Sequence, residues 1–129
     1  MEFAKPSKKF LAEVAKVKMT KEKFLEEFKK GYNLSVYCKT KKQAEACIDF
    51  FIENGLDTFA GGNKITKEYA KDGLFFNYLK IPVGCKSNLY SREREYVYGI
   101  EYGTSRSIMS KYFILFENID MNPEVKNGN

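Results

Sequence analysis

The chain contains no histidine. Histidine is the usual general base near neutral pH and the commonest metal ligand. Its absence excludes Ser-His-Asp and Cys-His arrangements and histidine-ligated zinc or haem. Chemistry would fall to carboxylates, Lys, Tyr or Cys alone, and no catalytic residue, metal or cofactor is expected. Cysteine is scarce: Cys38, Cys47 and Cys85 are odd in number and widely spaced. That fits a reducing cytoplasm better than a disulfide framework. No window approaches the ~18 apolar residues that cross a membrane. Met1 to Phe10 carries no apolar signal core, so a cytoplasmic protein without membrane association is expected.

What is present suits one folded unit. The 129 residues are 43% apolar and 16% aromatic, enough to bury a core. A single domain is expected over 1–119, followed by a frayed polar tail, 120–129. The net charge of +5 is uneven: residues 1–42 hold 12 Lys against 5 Glu, and the remainder is slightly acidic. A basic first third suits nucleic acid or an acidic protein surface. It equally suits a lysine-rich solvated face.

Ser7 caps an expected helix from Lys8 to about Val17, striped by Phe10, Leu11, Val14 and Val17. Thr20 caps a second, Lys21 to Lys30, with Phe24, Leu25 and Phe28 inward. Leu34, Val36 and Cys38 alternate with Ser35 and Tyr37, which reads as a half-buried strand. Thr40 and Gln43 then form a capping box for a helix ending at Asn54, with Gly55 as its left-handed stop. Strands are expected over Leu74 to Pro82, Glu93 to Tyr102 and Lys111 to Phe116, with a helical turn ending near Met109. The fold class is α+β: two N-terminal helices, then strand, helix and three strands, with a mainly antiparallel sheet packed by helices on one face.

Every arginine, Arg92, Arg94 and Arg106, falls within 15 residues, with Tyr90, Tyr96, Tyr98 and Tyr102 in or beside the stretch. Arginine grips phosphates and carboxylates in a planar fork and stacks on rings; lysine is a hydrated point charge. In a strand, Tyr90, Arg92, Arg94, Tyr96, Tyr98, Ile100 and Tyr102 share one face. Such a face suits a protein interface, where Tyr and Arg are enriched. It also suits a nucleic-acid or nucleotide platform, with rings stacking bases and guanidiniums holding phosphates. The plain structural alternative packs the tyrosines inward and pairs the arginines with Glu93, Glu95 or Glu101.

Other motifs carry less. Gly61-Gly62-Asn63-Lys64 lacks P-loop spacing and reads as a turn. Cys38 and Cys47 fall on inward faces; Cys85 lies in a loop beside Lys86. Glu26-Glu27 and Glu93-Glu95 read as solvated surface rather than paired catalytic acids.

Cys38-Lys39-Thr40, Glu45-Ala46 and Gly55 together resemble the opening of a loose group of small α+β orphan proteins from phages and mobile elements. The aromatic strands near Tyr98 and Phe116 look similar. The resemblance covers about half the chain and leaves out the first 32 residues. This chain lacks the tryptophan often found just beyond the helix. The group has no shared activity to carry over. What the resemblance implies is a phage origin, and such proteins often bind and block host machinery. The expectation is a non-enzymatic inhibitor in the bacterial cytoplasm that occludes a surface of a host protein or ribonucleoprotein complex. By analogy of size and origin the target would be a defence system, making the protein anti-CRISPR-like. The alternative is a nucleic-acid or nucleotide-signal binder using the Arg/Tyr face.

Overall fold

A computed structural model describes residues 7–31, 33–59, 62–86, 91–101 and 112–122. Helix α1 (Lys8–Val14) starts where Ser7 Oγ accepts from the Phe10 amide at 3.0 Å. It stops short of Val17, which packs against a different core cluster from Phe10, Leu11 and Val14. The chain then turns through strand β1 (Met19–Thr20) into helix α2 (Lys21–Phe28). Thr20 Oγ1 caps α2 by accepting from the Lys23 amide at 3.2 Å.

Strand β2 (Leu34–Cys38) leads into helix α3 (Lys41–Glu53). Thr40 Oγ1 accepts from the Gln43 amide at 3.1 Å. Gln43 Oε1 accepts in return from Lys39, one residue upstream of the expected cap amide. The cap amide is not the target because the reciprocal bond reaches past Thr40. The Asp72 carboxylate takes a further first-turn donor, the Lys41 amide. At the other end Gly55 sits at φ 75°. Its amide reaches the Ile52 carbonyl, and the Leu56 amide reaches the Phe51 carbonyl at 2.8 Å. These bonds satisfy carbonyls that the helix end leaves open.

Three strands follow: β3 (Leu74–Ile81), β4 (Arg94–Glu101) and β5 (Tyr112–Leu115). The four-stranded sheet has the order β4-β3-β2-β5. β3 runs antiparallel to both neighbours, and β5 lies parallel to β2. A short strand β6 (Ile119–Asp120) pairs in parallel with β1. This pairing runs into the first residue of the expected tail, and Asp120 also accepts from the Asn122 amide at 3.0 Å. Residues 123–129, and the expected helical turn near Met109, lie outside the described residues.

The architecture is α+β, but the helices do not share one face of the sheet. α2 and α3 cover the face of Leu34, Val36, Cys38, Phe76 and Ile114. α1 covers the opposite face, packing Phe10, Leu11 and Val14 against Tyr37, Phe75, Ile100, Phe113 and Leu115. β2 is therefore buried along its whole length, Ser35 and Tyr37 included, rather than half-buried. The reason is its central place in the sheet: apolar stripes on both sides need a surface to bury. Ser35 satisfies its hydroxyl by accepting from Asn77 Nδ2 on β3. On the α2/α3 face, Phe28 stacks on Phe24 and Phe51 at 5.1 and 5.2 Å, and Phe51 meets Phe76 edge-on at 5.2 Å. Burying each such ring is worth roughly 1.5–3 kcal/mol.

Candidate binding surface on the outer strand

β4 is the outermost strand on its side of the sheet. Its residues alternate between the two faces. Val97 is buried on the α2/α3 face, and Gly99 lies on that side under the ring of Phe59. Ile100 belongs to the α1 face. Arg94, Tyr96 and Tyr98 therefore share the α1 side. Arg94 is exposed, Tyr98 is 38% exposed and Tyr96 is half-buried.

The register with β3 completes this surface. Tyr96 stands opposite Leu79, Tyr98 opposite Asn77 and Arg94 opposite Ile81. Leu79 and Ile81 are half-buried. They continue the apolar ground beside Tyr96, and the sequence reading missed them because it could not pair the strands. Arg92 precedes the strand and is exposed; it lines the same cleft as Arg94. The structure thus brings together Arg92, Arg94, Tyr96 and Tyr98. Tyr90, Tyr102 and Arg106 lie outside the described residues.

Glu93 and Glu95 turn the other way. Lys80, opposite Glu95 on β3, sends Nζ to within 3.4 Å of Glu93 and 3.8 Å of Glu95. Glu95 also bonds the hydroxyl of Tyr78. Burial, aided by the Glu95 charge, pushes the Tyr78 phenol well above its usual range. These glutamates, expected as partners for the arginines, are held by Lys80 across the strand.

Two clefts meet at this edge. One, about 560 Å³, is lined by Thr58, Gly62 and the run from Ser91 to Tyr96. The other, about 360 Å³, is lined in part by Lys29, Tyr78, Lys80 and Glu95. The Val97 amide leaves the sheet here and donates to the Thr58 carbonyl at 2.8 Å. The Gly62 amide, part of the glycine-rich stretch, is taken by the Phe59 carbonyl at 2.9 Å. That donor serves the turn rather than a phosphate.

The basic surface is smaller than the lysine count suggests. α1 and α2 lie on opposite faces of the sheet, so their lysines do not merge. On α2, Lys23 and Lys30 approach Glu27 at 3.2 and 2.9 Å. Lys30, then Lys23, hold the Glu27 carboxyl below its ordinary range. Cys38 and Cys47 are buried, and burial raises the Cys47 thiol further from ionisation. Among the described residues, no group of three or more Cys, Asp or Glu side chains could hold a metal ion, and no helix is long and apolar enough to cross a membrane. No family model matches the chain, and neither does any curated protein or solved structure.

Proposed function

We propose that this is a non-enzymatic binding protein that inhibits a bacterial host factor by covering a functional surface on it. The observation that carries the reading is the shared exposed face of Arg94, Tyr96 and Tyr98 on the outermost strand, with Arg92 beside it. Arginine and tyrosine are the residue types that dominate the energetics of protein interfaces. The resemblance to phage orphan proteins supports a phage origin, action in the bacterial cytoplasm and a target in host defence, in the manner of an anti-CRISPR.

The runner-up ligand is a nucleic acid or nucleotide, favoured by the exposed Tyr98 ring near a guanidinium. The divided lysines and the Lys23–Glu27–Lys30 cluster favour protein over polyphosphate. The test is binding by the chain and by the triple variant Arg92→Ala/Arg94→Ala/Arg106→Ala, titrated against salt. A protein interface should lose about tenfold or more in the variant and respond weakly to salt. Phosphate binding should fall steeply with salt. Full binding by a folded triple variant sinks the site.

A further inference from the structure

The outer edge of β4 is already used as a template at one point. Thr58 takes the outward amide of Val97, and Phe59 bridges Val97 in the parallel sense. Alternation along the ladder aims the Glu95 amide and carbonyl outward in the same direction. Among the described residues, no backbone group meets them. The 560 Å³ cleft runs along this stretch, from Ser91 to Tyr96.

A second copy of the chain is a poor occupant. Antiparallel pairing of β4 with itself sets opposite residues on the same face, odd against odd and even against even. Every register centred on the uncovered stretch then opposes like charges. Arg94 meets Arg94 while Glu93 meets Glu95, or Arg92 meets Arg94, or Glu95 meets Glu95. Like charges directly opposite are destabilising. The same alternation welcomes a different strand. Lys80 already holds Glu93 and Glu95 on one face, leaving arginine as the dominant charge on the other.

We propose that the β4 edge at Glu95 is a strand-addition site for an extended acidic segment of a partner protein. The added strand takes the outward amide and carbonyl of Glu95, and its carboxylates lie on the Arg94 face. This is the mode by which the binding protein proposed above holds its partner.

The probe is a synthetic peptide of about eight residues alternating Glu with Val, set against the same peptide with Lys in place of Glu. Fluorescence anisotropy should show the Glu–Val peptide binding about tenfold or more tightly than the Lys–Val peptide. Its binding should slow hydrogen exchange at the Glu95 amide. Glu95→Pro removes that outward donor at a position where an outer strand accepts proline. It should weaken binding about tenfold, whereas Glu95→Thr, which keeps the amide, should bind as the parent does. If Glu95→Pro does not fold, exchange at Glu95 in the unaltered chain decides. Three results overturn strand addition: no binding of the Glu–Val peptide, unchanged exchange at Glu95 when it binds, or dimerisation of the chain that itself protects Glu95. Peptide binding lost in Arg92→Ala/Arg94→Ala but retained in Glu95→Pro sinks the backbone mode and leaves the side-chain face standing.

Discussion

The ring of Phe59 lies directly over the α-carbon of Gly99. A Cβ at Gly99 would sit 2.5 Å from Phe59 Cζ, closer than real carbon contacts allow. Phe59 is not free to swing aside, because it stacks on Tyr69 at 4.5 Å and meets Phe76 edge-on at 6.4 Å. Gly99→Ala should therefore cost about 1–3 kcal/mol. Urea unfolding of the two proteins checks this. Parental stability in the variant would mean that the ring moves without resistance.

Thr40→Ala should lower stability by about 1 kcal/mol, the ordinary cost of a lost helix cap. Asp72→Ala should act in the same direction, because it frees the Lys41 amide of the same turn. The two share one helix end, so the double variant should depart from the sum of the singles. Thermal melts followed by circular dichroism supply the comparison.

Tyr78 links stability to alkaline pH. Its phenol titrates higher in the folded chain than in the unfolded one, so folding favours the neutral form. That contribution is complete below the ordinary tyrosine value of about 10. It is lost as pH rises from there through the raised folded value. Tyr78→Phe should flatten the fall in unfolding free energy above about pH 10. An equally steep fall in the variant would assign the dependence to other groups, such as Lys30 and Lys67, whose raised values act in the same direction.

Thiol labelling should separate the three cysteines. Cys85 is half-buried and should react with a maleimide in the native protein. Cys38 and Cys47 are sealed in the core and should react only as the chain unfolds. Mass spectrometry of a time course reads the order. Early modification of Cys47 would show that α3 opens locally.

Local structure was legible where a short signal has a short cause. Ser7, Thr20 and Thr40 announced their helices because a cap acts within three residues. Gly55 announced an end because few other residues tolerate its φ. The facing of Arg94, Tyr96 and Tyr98 followed from strand alternation alone. What stayed hidden depends on distant partners. Nothing near Ser35 or Tyr37 says that α1 will cover them. Nothing near Glu93 or Glu95 says that Lys80 stands opposite, so their pairing with the arginines looked reasonable from the sequence. The position of β4 at the sheet's edge, which makes its backbone available, follows from strand order and has no local signature.

The parallel pairing of β2 with β5 has a consequence for how the chain acquires its shape during synthesis. Leu34 must wait for Tyr112, and Tyr37 for Leu115, long after α3, β3 and β4 have emerged. Until then β2 is itself an exposed edge, and the Phe113 and Leu115 side chains that pack with α1 are missing. Such distant contacts are slow to form and leave apolar surface unprotected meanwhile. A ribosome-bound chain halted before Tyr112 should therefore remain sensitive to protease at Leu34–Cys38, with resistance arriving only in the final stage of translation.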